Sequence, residues 1–138
     1  MEFASPEQAE LAFYRAFERA DLTAMMATWS EDDDIVCIHP GGQRLLGIDA
    51  IRESWRQLFR DGPRMRIELL DPRIQTGRMV SVHNLYERIR LQGQLRSHLI
   101  LATNIYQLTP SGWRMVVHHA SPLPQEAEAL EAPAGTIH

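Results

Sequence analysis

A single cysteine, Cys37, stands among the 138 residues. No disulfide can form within such a chain, and the expected setting is a reducing compartment, the cytoplasm. No apolar run approaches the roughly 20 residues needed to span a bilayer. The opening MEFASPEQAE has neither a basic stretch nor an apolar core of the kind an export leader needs. Positive charge is also short: 14 Lys and Arg against 18 Asp and Glu give a formal charge of −4. That balance argues against a nucleic-acid partner, which requires a phosphate-neutralising excess, and nothing points to a membrane. What is present, 44% apolar and 23% charged residues, suits one soluble domain with a real core.

Helical period dominates the first half. Ser5-Pro6 is a start signal, an oxygen to cap free amides followed by a proline where no N–H is missed. Ala9, Ala12, Phe13, Ala16, Phe17 and Ala20 then form one apolar face. Asp21 reads as a fresh cap before Leu22, Met25, Met26 and Trp29. Ile35 to His39 is a short strand stopped by Pro40-Gly41-Gly42, and Gln43 to Leu46 is a weak return strand. A third helix is expected from Ile48 to Arg60, with Ile51, Trp55, Leu58 and Phe59 on one side.

The second half reads as strands over 64–76, 78–91, 95–108 and 112–120. Asp71-Pro72 implies a bulge or an edge position, because proline cannot donate to a ladder. A hairpin is expected around Gln92-Gly93-Gln94 and a turn at Thr109 to Gly112. A two-residue turn at Gly93-Gln94 would bring His83 and Glu87 inward, a three-residue turn Asn84 and Tyr86. From Pro122 the chain is rich in proline, alanine and glutamate and reads as a loosely held arm. The expected division is one domain over 1–123 and a tail over 124–138.

Helices first and strands afterwards define an α+β architecture, three helices on one face of a curved, mostly antiparallel sheet around a cone-shaped cavity. Leu99, Leu101 and Ile105 share one parity on the outer face, which predicts a homodimer through that face. The element order, with DLxxMMxxW in helix 2, HPGG after the first strand and GxxAIRxSW opening helix 3, resembles the nuclear transport factor 2-like superfamily, in its SnoaL-like and ketosteroid-isomerase-like branches. LLDPRI and WRMVVHHASP are also similar to the association domain of calcium/calmodulin-dependent kinase II. The resemblance implies a cystatin-like cone, an α+β barrel. It leaves two functions open: a small-molecule-binding protein working without a cofactor as an isomerase, cyclase or dehydratase beside a carbonyl, or a non-catalytic association module.

Set against the isomerase pattern, the base after the first strand becomes His39, the helix-1 tyrosine position falls on Phe13, and the protonated aspartate of the penultimate strand becomes Asn104. Tyr14 would point about 100° away from Phe13. The association-domain pattern matches His119 after the last-strand tryptophan, and Arg96 and Asn104 fall on its pocket positions. With Asn104 facing the cavity, alternation brings His98 to that face and Cys37 beside His39, and turns Met115, Val117 and His119 inward and His118 outward. Imidazole titrates near neutral pH, so His39, His98 and His119 are candidate acids or bases or, equally, hydrogen-bonded wall residues. The expected catalytic set is therefore His39, Asn104 and His119, with Phe13, Cys37, Trp55, His98 and Val117 around a small hydrophobic or aromatic ligand. No metal and no cofactor is expected.

Overall fold

The computed structural model of the protein describes residues 2–124. The expected tail therefore lies, from residue 125, outside the described residues. Helix α1 spans Pro6–Arg19, and its start is the predicted one: the Ser5 side chain accepts from the Gln8 N–H at 3.1 Å, with proline in the first turn. It stops where Ala20 turns left-handed (φ 53°) and returns its N–H to Ala16 and Phe17. Asp21 then caps α2 (Leu22–Ala27) by accepting from Ala24 N–H at 3.0 Å. Strands β1 (Val36–Ile38) and β2 (Leu45–Leu46) precede α3 (Ile48–Asp61). The rest is β3 (Met65–Thr76), β4 (Val80–Leu91), β5 (Ser97–Thr109) and β6 (Gly112–Pro122). Among the described residues no helix is long and apolar enough to cross a membrane.

One six-stranded sheet runs in the order β2-β1-β6-β5-β4-β3. β3 to β6 form an antiparallel meander, and β1 joins β6 in parallel. The ladder slips between Leu70 and Arg73, so Asp71-Pro72 is the expected bulge, with Asp71 at φ 49°. A second slip was not expected. Ile105 pairs with Val117 but Tyr106 with Met115, so Val116 is an extra residue in β6. Bulges of this kind reverse the facing of everything beyond them.

The helices pack on the concave face, where Phe13, Met25, Trp29, Ile51, Trp55 and Met115 are at most 1% exposed. Full burial of each such side chain contributes about 1.5–3 kcal/mol. Phe13 and Trp55 meet edge to face at 5.5 Å, and Trp55 meets Phe17 edge to face and Phe59 at a tilt. Trp55 is thus a core residue that joins α3 to α1, and Trp29, bridged to Met115, joins the end of α2 to β6. Gly112 must be glycine: it sits at φ +96°, and a Cβ there would lie 2.9 Å from the Phe3 backbone.

Candidate functional site

The β4–β5 hairpin decides which polar groups enter the cone. His83 pairs with Asn104 and Glu87 with Ile100, a register centred between Gly93 and Gln94. His83, Leu85 and Glu87 therefore point inward, at 0–1% exposure, while Asn84 and Tyr86 take the other parity. Asn104 is fully buried on the same face, as its strand parity requires.

Around Asn104 the hydrogens run in one direction. His118 Nδ1 lies 2.6 Å from Asn104 Oδ1. Asn104 Nδ2 donates to the Tyr14 hydroxyl at 2.8 Å and to Glu10 Oε2 at 3.3 Å. Tyr14 in turn donates to Glu87 Oε2 at 2.6 Å. The amide must be oriented this way, since its nitrogen then faces a carboxylate and its oxygen an imidazole N–H. His118 accordingly carries its proton on Nδ1 and a lone pair on Nε2. An amide does not relay protons, so the histidine and the carboxyl are coupled electrostatically only.

Burial sets the charges. It pushes the Glu87 carboxyl up to about 7, with the Tyr14 bond opposing and nearby Glu10 reinforcing. Burial drives His118 down to about 3, so this ring is neutral at pH 7. The Tyr14 and Tyr106 hydroxyls are raised well above their usual range, first by burial. Beside this array Tyr106 donates to Glu10 Oε2 at 2.8 Å, and His83 Nδ1 lies 3.1 Å from the same oxygen, at ion-pair distance but out of line for a hydrogen bond. His83 Nε2 meets Ser81 Oγ at 2.9 Å. Ser81, His83 and Glu10 follow the order of a nucleophile, base and acid. Ser81 and His83 are 0% exposed, however, so the trio holds α1 to β4 rather than meeting a substrate.

His39 lies nearer solvent, half-buried at the end of β1. Its Nε2 is 3.0 Å from Ser54 Oγ, and the one Ser54 hydrogen is donated to Ile51 O at 2.7 Å. Ser54 can only accept from the histidine, which fixes the neutral ring as the Nε2–H tautomer and leaves the Nδ1 lone pair free. Burial lowers the pKa of His39, which keeps it a neutral base at pH 7. Its ring stands edge-on to Trp55 at 4.7 Å, and Trp55 is 6.1 Å from His118. The Trp55 indole N–H is buried and has no hydrogen-bond partner among the described residues. Cys37 Sγ is 3.7 Å from His39 Nε2, but burial raises this thiol to about 12, so it is no nucleophile.

Two expectations are corrected by the β6 bulge. His118, expected outside, is buried at 1%, whereas His119 is exposed and Val117 does not join the interior. The extra residue Val116 reverses parity between Met115, which is inward as expected, and His118. His98 keeps the inward parity but is six residues from Asn104 along β5, about 20 Å at strand rise. The histidine cluster of His39, His98 and His119 is therefore not assembled; His39 and His118 are the pair brought together. Tyr14, taken as pointing away, shares the interior with Phe13, because the buried face of α1 is wide enough to include Glu10 and Tyr14. These two, at i and i+4 on the shoulder of the apolar stripe, were a signal in plain view. Among the described residues, no three His, Cys, Asp or Glu side chains form a group able to hold a metal ion.

An α+β cone is the architecture that the resemblance to nuclear transport factor 2-like proteins implies, and comparison with known proteins agrees. The chain belongs to the SnoaL-like domain family, which it matches over residues 7–125. A candidate kinase II association domain from Thiobacillus denitrificans is 38% identical, with a TM-score of 0.85 over 90% of this chain and 99% of that one. A candidate dehydratase of the NTF2-like family from Streptomyces avermitilis is 28% identical, with a TM-score of 0.79 over 86% and 93% of the two chains. A ketosteroid isomerase-like protein from Erwinia carotovora, 22% identical with a TM-score of 0.69 over 86% and 93%, shares the fold. The F-box protein SKIP8 of Arabidopsis thaliana is 26% identical over 111 residues, 79% of this chain and 46% of that protein. The chain thus spans about half the length of this curated relative.

Proposed function

We propose that the protein binds a small aromatic or hydrophobic carbonyl compound and moves a proton beside the carbonyl without a cofactor, in an isomerisation, cyclisation or dehydration, with His39 as the base. The carrying observation is the tautomer of His39: Ser54 holds its N–H, so the half-buried neutral ring keeps an Nδ1 lone pair that has no partner among the described residues. Asn104 is the residue that fits its expected role least, because both its N–H groups are already given to Tyr14 and Glu10. Asn104 instead positions Tyr14 and His118. All 14 basic residues are arginine, so no lysine is present to form a Schiff base and acid–base chemistry is favoured. The single, buried Cys37 thiol suits a cytoplasmic setting.

The test is hydrogen–deuterium exchange at the α-carbon of 2-tetralone, followed by NMR in D₂O. The protein is expected to accelerate exchange over buffer, and His39→Ala to lose at least about 100-fold of that acceleration. Exchange at the buffer rate, or an unimpaired His39→Ala, overturns the reading.

A second reading is compatible with the first and rests on another surface. Leu101 and Ile105 are only half-covered and Leu99 buried on the outer sheet face, and the Thiobacillus structure carries an association-domain name. A homodimer through this face gives twice 15.8 kDa by light scattering at micromolar concentration, and Ile105→Glu gives the monomer. A monomeric wild type removes this reading.

A further inference from the structure

The β3–β4 register places Arg66 directly opposite Arg90. The pair faces outward, because the flanking Ile67–Ile89 pair has the inward parity of Glu87 and the next outward pair, Glu68 and Arg88, meets in a 3.1 Å ion pair. Opposed residues of an antiparallel pair have Cβ atoms about 4.5–5.5 Å apart, and like charges so placed are destabilising. Both arginines are exposed, and among the described residues neither has a carboxylate partner. Arg52, Arg56, Arg60, Arg73 and Arg88 each have one. Of the nearby acids Glu68 pairs with Arg88, and Glu18, which accepts the Ile67 N–H at 2.8 Å, brings one carboxylate to the rim without pairing with either arginine. Two hollows of about 660 and 430 Å³ flank the pair, each lined by both Arg66 and Arg90 as well as Glu18, the larger also by Arg64 and Gln92 and the smaller by the Glu68–Arg88 ion pair. Ser97, opposite Arg90 on β5, adds a hydroxyl to the row.

We infer that Arg66 and Arg90 form a binding site for a multiply charged oxyanion, a phosphate or polycarboxylate group of a small molecule. Guanidinium is suited to this, since its fixed fork of donors takes two oxygens at once. The anion relieves a repulsion between two arginines that the single carboxylate of Glu18 only partly offsets, on a chain otherwise net negative. The site lies at the β3 edge of the sheet and shares no residue with the surroundings of His39, so the two stand or fall separately.

Calorimetric titration of the full chain with sodium phosphate, and separately with citrate, tests it at constant ionic strength, because exposed charges are screened by added salt. Saturable binding is expected, at least tenfold weaker in Arg66→Gln and in Arg90→Gln. Arg66→Glu, which gives Arg90 a carboxylate neighbour, is expected to abolish binding and to raise the melting temperature of the free protein. Phosphate binding alone identifies a phosphate ligand, and citrate binding alone a polycarboxylate. The site is refuted if neither anion binds, or if binding survives unchanged in the Arg66→Gln/Arg90→Gln double variant. It is equally refuted if poly-glutamate binds while both small anions do not, which would assign the surface to an acidic protein.

Discussion

Asn104→Ala is expected to destabilise the fold by about 3–4 kcal/mol, whereas Tyr106→Phe should cost about 1 kcal/mol. Asn104 touches α1 at two places and β6 at a third, through Tyr14, Glu10 and His118. Its removal strands the His118 Nδ1–H in a ring that is 1% exposed. It also withdraws a donor each from Tyr14 and Glu10, and leaves a void where the amide stood. An orphaned buried donor costs about 1–3 kcal/mol and the void adds to it. Tyr106→Phe removes one of the groups that converge on Glu10 Oε2, and the others remain. Urea unfolding at pH 7 checks the pair: if both variants lose the same amount, or Asn104→Ala lies within 1 kcal/mol of wild type, the central place given to Asn104 is wrong. Asn104→Asp is the sharper variant, since it would set a third carboxyl beside Glu10 and Glu87.

The residues that made the fold legible are those whose neighbours in sequence decide their geometry. Ser5-Pro6 and Asp21 announce helix starts through a local hydrogen bond, and Asp71-Pro72 announces a bulge through a missing donor. The inward facing of Asn104 follows from the resemblance to the isomerase pattern, and alternation then extends it along β5. The same steps misplace His118 and His119, because the facing of β6 depends on one extra residue, Val116, paired against a strand already committed elsewhere. Nothing in Met115-Val116-Val117-His118 marks that insertion: a bulge between two valines leaves no glycine or proline. Glu87 was held open as one of two registers, and only the pairing of β4 with β5 selects it. The Arg66–Arg90 pair is of the same kind, two unremarkable surface residues until the register sets them face to face. Long-range register is therefore where the interior became unreadable, and the polar interior is built almost wholly from it.

The same buried groups predict opposing pH dependences that cancel in the wild type and separate in variants. His118 falls from 6.5 to about 3 on folding, so the folded state binds fewer protons between those values. The stability it confers is complete above pH 6.5 and is lost as the pH falls toward 3, about 5 kcal/mol in total at 1.36 kcal/mol per unit. Glu87 rises from 4.5 to about 7, so the folded state binds more protons in that window. Its contribution is complete below pH 4.5 and is lost as the pH rises to 7, about 3 kcal/mol. Between pH 4.5 and 6.5 the two slopes oppose. Only below 4.5 does the His118 loss stand alone, and His39, also lowered by burial, adds to that side. Glu87→Gln keeps an acceptor for Tyr14 but no longer titrates, and its stability should rise by about 1.4 kcal/mol per pH unit from 4.5 to 6.5. His118→Asn keeps a donor for Asn104 Oδ1, and its stability should fall at about the same rate over that window. Unfolding free energies at half-unit intervals measure both. Parallel profiles for the two variants would mean that these groups do not titrate in the folded interior as their burial requires, and the acid–base character assigned to the cone would go with them.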